Sequence, residues 1–228
     1  MRKYTNVAKH DGEILHSFSL LIDKNSSSAT YSKAMEKLGG KLAELINPRI
    51  KDSNKIVFAC STEDADWLGK GIIDNLIIKD LSIAIFWNFR THAMNDKNLV
   101  IAPIIKTYIE DIKSSDTVII CKSIIYTSCV VRTNLTYLIN EINPLKIIIV
   151  SPVLFKSAEE SLSKEFDQSI SSIFEFVYFA VDDKVTPEGE VVPGIGGNIY
   201  NRLGFSDVEN KNKYIPELVK DRREKHYS

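Results

Sequence analysis

Short continuous apolar runs recur along the chain, and between them apolar residues return at every third or fourth position. The continuous runs are typical of buried parallel strands, whereas the spaced positions are typical of amphipathic helices. Strands are predicted at residues 55–60, 82–87, 118–121, 146–151 and 174–181. Helices are predicted at residues 28–46, 67–76, 131–142 and 157–168. This alternation predicts an α/β domain in which helices cover both faces of a central parallel sheet.

The remaining segments carry weaker patterns. Pro48 is expected to end the first long helix, because proline lacks the amide hydrogen that a helix interior needs. Residues 13–24 are expected to form a half-buried segment before that helix, and residues 88–97 a polar loop. Residues 99–109 alternate around Pro103, which favours a short hairpin or a pair of edge strands. No repeat or low-complexity linker divides the chain, so one domain is predicted.

The composition changes this picture little. Of the 228 residues, 44% are hydrophobic and 26% charged, and the net charge of −1 creates no field that would attract nucleic acid or an anionic membrane. No apolar run approaches the ~20 residues that cross a bilayer, and no apolar signal core follows the basic N-terminus. Cys60 and Cys121 lie in strand-like runs, so reduced, buried thiols are expected. We therefore expect a cytoplasmic protein with no nucleic-acid or membrane partner.

The stretch from Asp116 to Asn134 joins a predicted strand to a predicted helix through a loop of small and hydroxyl residues. Strand, small loop and helix form an arrangement that points backbone N–H groups and a helix N-terminus at a phosphate. Two features of a phosphate site are absent from this stretch: glycines in the loop and an acid at the end of the strand.

Three separated stretches, at residues 15–46, 117–129 and 182–204, match one known family in order and spacing, and together they resemble uracil phosphoribosyltransferases. Residues 15–46 resemble the N-terminal segment of that family, and residues 117–129 lie where the family has a strand, an acid and a Thr-Gly-Gly phosphate loop. Residues 182–204 contain Pro193-Gly194-Ile195-Gly196 and resemble the closing region of the family. The resemblance implies a type I phosphoribosyltransferase-like domain over residues 1–204, with a small hood formed by terminal segments, and commonly a homodimer. Residues 205–228 are left as a charged C-terminal extension, expected to be solvated or packed on a partner.

The resemblance also implies an activity, the joining of uracil to phosphoribosyl pyrophosphate with Mg²⁺ to give UMP. Lys122 stands where the family has its acid, and Ser128 and Cys129 stand at the two loop glycines. Thr62 and Trp87 stand at or near the positions of two arginines that meet pyrophosphate. Each such loss removes on the order of 2–4 kcal/mol of transition-state stabilisation.

Three functional hypotheses follow from these departures. In one, the chain is a purely structural partner that pairs with another protein through the dimer surface of the family. In another, the chain keeps the fold, has lost phosphoribosyl pyrophosphate chemistry and acts as a nucleobase- or nucleotide-binding, regulatory or assembly protein. In the alternative, it is an active enzyme of nucleotide metabolism that makes UMP or runs a changed reaction with Lys122, Tyr126 and nearby acids. No cofactor is expected, and Mg²⁺ only if the original chemistry is retained. No catalytic residue and no metal ligand is assigned.

The residues expected to bind a ligand come from the phosphate loop and the closing turn. They are Lys122, Tyr126, Thr127, Ser128, Cys129, Val192, Gly194 and Gly196. Backbone groups around the last three hold the polar edge of uracil if the resemblance extends to the ligand, whereas these glycines otherwise only shape a tight turn.

Several of these residues also have a structural interpretation. Lys122 is either a phosphate ligand or a salt-bridge partner of the acidic cluster Glu63, Asp64 and Asp66. Tyr126 is a packing residue or a catalytic acid, and Cys129 is a reactive thiol at a helix start or a small filler. The acidic cluster has no histidine at metal-ligand spacing, which disfavours a metal site.

Two histidines and an arginine are expected to be structural or solvated. His16 lies in an apolar run and is expected to be a satisfied core residue, although it matches a histidine of the family. Arg90 and His92 are expected to be solvated in the polar loop.

Overall fold

A mixed α/β fold is seen in the computed structural model of the chain, which describes residues 1–53, 55–78, 81–93 and 96–227. Its strands are β1 (Lys3–Tyr4), β2 (Ile56–Ser61), β3 (Leu81–Asn88), β4 (Thr91–Ala93), β5 (Asp96–Ile101), β6 (Ile104–Ile109), β7 (Thr117–Cys121), β8 (Ile124–Ile125), β9 (Lys146–Phe155), β10 (Phe174–Asp182), β11 (Lys184–Val185) and β12 (Val191–Val192). Its α-helices are α1 (Asn6–His10), α2 (Gly12–Ile22), α3 (Ser28–Ile50), α4 (Lys70–Asn75), α5 (Cys129–Glu141), α6 (Ala158–Ser163), α7 (Gln168–Ser171), α8 (Ile199–Arg202), α9 (Val208–Lys213) and α10 (Glu217–Tyr227). A 3-10 turn (Thr62–Asp64) and a π-helical turn (Ala65–Gly69) connect β2 to α4.

The central sheet has the strand order β1-β10-β9-β7-β2-β3-β6, with β8 added beside β9. Strands β3, β2, β7, β9 and β10 run parallel to their neighbours in that series, whereas β1 and β6 are antiparallel at the two edges. The predicted class, a central and mostly parallel sheet flanked by helices, is confirmed. The chain moves outward from β2 in both directions, so a topological switch point lies between β2 and β7. Ligands of open α/β sheets bind outside the carboxyl ends of the strands at such a point.

Each face of the sheet buries its own apolar core because successive strand residues point to opposite sides. In β2, Phe58 packs in the core formed with α2, α3 and α4, whereas Val57 packs in the core formed with α5 and α6. Burying one side chain of this size stabilises the fold by about 1.5–3 kcal/mol. The five predicted strands are confirmed for this reason: a strand buried on both faces gives a continuous apolar run.

Two elements of the N-terminal half go beyond their predictions. The half-buried segment expected at residues 13–24 is helical up to Ile22 and belongs to α2, whose buried face contains Ile14, Phe18 and Leu21. The helix end predicted at Pro48 is wrong. Helix α3 continues through Pro48 to Ile50, which is completely buried. The burial of the last turn therefore outweighs the loss of one backbone hydrogen bond at the proline.

The segment between β3 and β6 also differs from its prediction. The expected polar loop at residues 88–97 contains β4 and the start of β5, which pair with each other in a separate antiparallel ribbon. Residues 94 and 95 lie outside the described part of the chain. For residues 99–109 the sequence leaves open a short hairpin or a pair of edge strands. Strand β6 is an edge strand of the central sheet, and it pairs with β3 rather than with β5.

The C-terminal segment 205–227 lies against the domain. Tyr214 stacks on Trp67, with ring planes 5° apart, and its carbonyl accepts a hydrogen bond of 2.8 Å from Trp87 Nε1. Lys211 and Val219 are completely buried. These contacts place α9 and the start of α10 beside the connection that follows β2.

Candidate functional site

A cavity of about 640 Å³ opens at the carboxyl ends of the strands, next to the switch point. The segment from Lys122 to Val131 forms one wall, and the 188–200 region forms much of the opposite one. The lining also includes Glu63 from the turn after β2, Arg90 and Thr91 at the start of the β4–β5 ribbon, Val100 from β5 and Val208 from α9. This is the volume and position of a small-molecule site in a doubly wound α/β fold.

A buried ion cluster lies at the strand ends beside this cavity. Lys122 Nζ donates to Asp64 Oδ2 at 2.6 Å and to Glu63 Oε1 at 3.1 Å. The side chains of Lys122, Glu63 and Asp64 are 11%, 3% and 0% exposed. Asp64 accepts two further hydrogen bonds, from Ser61 Oγ at 2.8 Å and from Ser123 N at 3.2 Å. The interpretation of Lys122 as a salt-bridge partner is thus confirmed for Glu63 and Asp64.

Neighbouring charges stabilise the charged forms of Lys122 and Glu63, whereas burial lowers the pKa of Lys211 and raises that of Asp64. Burial acts to lower the pKa of Lys122, but the charges of Asp64 and Glu63 outweigh it and raise that pKa above its ordinary value. Burial acts to raise the pKa of Glu63, but Lys122 and Lys211 outweigh it and lower the pKa to about 2. For Asp64, burial prevails over Lys122 and raises the pKa. Lys122 is therefore charged throughout the ordinary pH range.

Asp66 does not belong to the cluster, contrary to the sequence interpretation. Its carboxylate accepts hydrogen bonds from the backbone N–H groups of Glu217 at 2.8 Å and Leu218 at 2.9 Å, and from the hydroxyl of Tyr214. These amides begin helix α10 and have no partners within the helix. Asp66 turns toward the C-terminal segment because it caps that helix.

Lys211 supplies a second cation that the sequence interpretation missed. Its side chain is completely buried, with Nζ donating to the carbonyl of Asn88 at 2.7 Å and lying 3.7 Å from Glu63 Oε2. The same ammonium lies 5.4 Å from the ring centroid of Tyr200. A lysine in a charged C-terminal segment gives no sequence signal of burial, so only the fold reveals this contact.

The loop between β8 and α5 contains no glycine, but one of its residues has a left-handed backbone. Ser128 has a φ of 59°, in the left-handed region that glycine adopts freely, and Cys129 starts α5. The first N–H groups of a helix have no intrahelical partners, and Cys129, Val130 and Val131 line the cavity. The positive end of the α5 dipole therefore faces the cavity wall.

Two other residues of this loop have structural contacts. The ring of Tyr126 packs against Phe155 in a T-shaped pair with a centroid distance of 4.8 Å. Cys129 is buried and its Sγ donates to the carbonyl of Val100 at 3.2 Å, while burial raises the pKa of its thiol. A raised pKa disfavours the reactive thiolate, which supports the interpretation of Cys129 as a small filler. Thr127 is exposed and lines the cavity between them.

The closing turn meets the cavity through different residues from those expected. Among the described residues, Val191, Ile195 and Gly197 line the cavity, whereas Val192, Gly194 and Gly196 do not. Gly196 has a φ of 82°, and a Cβ placed on it would lie 1.9 Å from the carbonyl oxygen of Leu21.

Buried hydrogen bonds fix this turn to the N-terminal segment. Asp182 forms a two-point ion pair with Arg2, at 2.9 and 2.7 Å, and accepts from the backbone N–H of Gly194 at 2.9 Å. Tyr31 donates to the carbonyl of Ile195 at 2.9 Å. The conformation at Gly194 and Gly196 is therefore required by packing.

The remaining candidates are distributed around the site. Arg90 is exposed at the cavity wall, as predicted, and the side chain of His92 lies outside the described residues. His16 is exposed on α2, so its prediction as a core residue is wrong: it falls on the solvent face of that helix. Glu188 and Glu190, on an exposed turn, belong to the lining although no sequence pattern indicates it.

The residues at the strand ends do not fit a magnesium ion. Mg²⁺ requires free carboxylate or phosphate oxygens, and Glu63 and Asp64 are both engaged by Lys122 in a buried cluster. Over the described ranges, no group of three or more His, Cys, Asp or Glu residues is arranged to hold a metal ion. The same part of the chain contains no helix that is both long and apolar enough to cross a membrane.

Comparison with known proteins gives structural matches only. No protein-family model matches the chain, and no curated protein matches it. The fold is similar to the solved structure of the AQ2163 protein from Aquifex aeolicus, with a TM-score of 0.66 and 17% sequence identity over 86% of this chain and 96% of that one.

Other structures match with TM-scores below 0.5, a level that does not establish a shared fold, and two of them serve as examples. The TT1426 protein from Thermus thermophilus matches with a TM-score of 0.47 and 10% identity, over 78% of this chain and 94% of that one. A hypoxanthine-guanine phosphoribosyltransferase from Bacillus anthracis matches with a TM-score of 0.44 and 13% identity, over 54% of this chain and 70% of that one.

Proposed function

We propose that this chain is a phosphoribosyltransferase-like protein that binds a nucleobase or nucleotide in the cavity without carrying out phosphoribosyl pyrophosphate chemistry. The resemblance of residues 15–46, 117–129 and 182–204 to uracil phosphoribosyltransferases supports a place in nucleotide metabolism and makes uracil and UMP the first ligands to test.

One observation carries the proposal. The cavity keeps a wall suited to an anionic group, the start of α5, while the position at the end of β7 holds Lys122 in a buried ion pair. A lysine already bound to Asp64 and Glu63 accepts no hydrogen bond from ribose hydroxyls and holds no metal. This contrast supports a site that binds an anionic group but lacks the groups that would stabilise a departing pyrophosphate.

Thermal unfolding tests the binding part of this proposal. A ligand that binds only the folded protein at 100 times its Kd stabilises it by about 2.7 kcal/mol, which for a chain of this size raises Tm by about 5–10 °C. We expect such a shift with UMP or uracil. No shift with any of uracil, UMP and other nucleotides would contradict the proposal.

A matched pair of variants locates the binding site. Val130→Asp places a negative charge in the first turn of α5, where it favours the helix but repels an anionic ligand. Thr136→Asp adds the same charge at an exposed position of the same helix. We expect the UMP-dependent shift to disappear in the first variant and to remain in the second.

The chemical part has its own assay. Radioactive uracil, phosphoribosyl pyrophosphate and Mg²⁺ are incubated with the protein, and UMP is separated and counted. We expect no turnover above the uncatalysed rate. Turnover at the rate of a working uracil phosphoribosyltransferase would establish the alternative, an active enzyme. Homodimer formation, the other expectation from the resemblance, is measured separately by light scattering on the eluting protein.

A further inference from the structure

Four buried charged side chains at the strand ends form one connected cluster of ion pairs. Lys122 and Lys211 are the cations, and Glu63 and Asp64 are the anions, with Glu63 lying between the two ammonium groups at 3.1 and 3.7 Å. Asp64 is paired with Lys122 at 2.6 Å. Two positive and two negative charges cancel, so this end of the cavity offers no net charge to a ligand.

Such cancellation matters most for a ligand with several negative charges. Glu63 and Lys122 both line the cavity, so a polyanion entering there meets a carboxylate at the same place as the ammonium. The acids are held in place, because Asp64 is also bound by Ser61 and Ser123 and is fully buried. In a desolvated environment the repulsion between fixed like charges is weakly screened.

We propose that Glu63 and Asp64 are specificity-determining residues that exclude pyrophosphate-bearing ligands from the cavity by neutralising Lys122 and Lys211. The site then selects ligands with no phosphate or a single phosphate. This inference rests on the proposed function in one respect, that the cavity is a ligand site. It adds the class of ligand that is rejected, and it counts Lys211, from the C-terminal segment, among the cations that the acids neutralise.

The inference predicts a gain of binding when the acids are neutralised. In the double variant Glu63→Gln, Asp64→Asn, the substituted amide oxygens still accept hydrogen bonds from Lys122, but the cluster acquires two uncompensated positive charges. Calorimetric titration with inorganic pyrophosphate, without added metal, is expected to show at least a tenfold increase in affinity over the native protein. The affinity for inorganic phosphate is also expected to increase, but by a factor less than one third as large.

The matched control is Glu159→Gln, Glu160→Gln. It also removes two carboxylates, but both are exposed on α6 and lie outside the cavity lining, where solvent screens their charges. We expect its affinity for pyrophosphate to change by less than twofold. If the first double variant does not fold, the single variant Glu63→Gln is used, because it keeps the Lys122–Asp64 pair. Its affinity for pyrophosphate is expected to be about threefold or more above that of the native protein.

Two results would overturn the inference: an affinity of the neutralised variant for pyrophosphate no higher than that of the native protein, or an equal gain of affinity in the control. An equal gain for phosphate and pyrophosphate would also contradict it, since the selection by phosphate number would be lost. Failure of uracil and UMP to bind the native protein overturns the proposed function instead. The pyrophosphate affinities of the native protein and the variants test the inference whether or not uracil and UMP bind.

Discussion

The substitution Lys122→Met gives the sharpest test of the buried ion cluster. It leaves Glu63 and Asp64 almost completely buried and removes the ammonium that lies 2.6 Å from Asp64 and 3.1 Å from Glu63. Removing one partner of a buried ion pair costs about 3–5 kcal/mol, because an uncompensated charge stays in the interior. A domain has about 5–15 kcal/mol of stability in all, so the variant should fold with a much lower urea midpoint.

Lys70→Met is the matched control. Lys70 also forms an ion pair with an aspartate, Asp74, but the two side chains are 48% and 51% exposed. Exposed pairs contribute about 0.2–1 kcal/mol, so this variant should lose no more than that. Both free energies of unfolding are obtained from urea titrations at pH 7 followed by circular dichroism.

The pH dependence of the loss follows from the same contacts. In the native protein the pKa of Glu63 is about 2, below its ordinary 4.5, so Glu63 contributes stability above pH 4.5 that is lost as the pH falls toward 2. Without Lys122, burial raises the carboxylate pKa values above their unfolded values, and stability falls as the pH rises through them. The difference in the free energy of unfolding between the native protein and Lys122→Met should therefore be smaller at pH 4.5 than at pH 7.

Adding Asp64→Asn to Lys122→Met removes the carboxylate that has lost its nearest cation. We expect the double variant to recover about 2 kcal/mol, since Glu63 keeps Lys211 at 3.7 Å. A loss below about 1 kcal/mol in the single variant, or one that grows as the pH is lowered, would refute the account of Lys122 as the partner of two buried acids.

Three further predictions concern the loops around the site, each measured by urea unfolding. Ser128→Gly should stabilise the protein by about 0.5–1 kcal/mol, because a φ of 59° strains any residue with a Cβ; a loss of stability would contradict this. Gly196→Ala should cost more than about 3 kcal/mol, since its Cβ would lie 1.9 Å from the carbonyl oxygen of Leu21, and a loss under 1 kcal/mol would argue against that contact. Asp66→Ala should cost about 1–2 kcal/mol and speed proteolysis within α10, because it removes the cap of that helix and the acceptor of Tyr214; unchanged cleavage would show that the cap does not hold the segment.

Much of the fold can be predicted from the order of residues, and the errors have local causes. The five buried parallel strands are recognisable because each is a continuous apolar run. Helix α2 escapes prediction although Ile14, Phe18 and Leu21 have helical spacing, because polar residues between them suggest a half-buried segment. Pro48 predicts a helix end, but packing of Ile50 carries α3 past it.

The candidate site is only partly visible in the sequence. The loop from Lys122 to Cys129 lines the cavity, and the pairing of Lys122 with Glu63 and Asp64 is one of two interpretations that the sequence allows. The absence of glycine at Ser128 suggests a lost loop shape, yet this serine keeps the left-handed backbone.

Sequence alone determined the five buried strands and the sheet class of this protein, because the runs and spacing of apolar residues report burial within one strand or helix. Tertiary structure decided which charges meet. Lys211 lies beside Glu63 because α9 packs onto the end of β2, and Asp66 contacts the start of α10 instead of Lys122. Both contacts connect segments that are far apart in the chain. Electrostatic energy depends on distance and burial, and neither is encoded in the local pattern of polar residues.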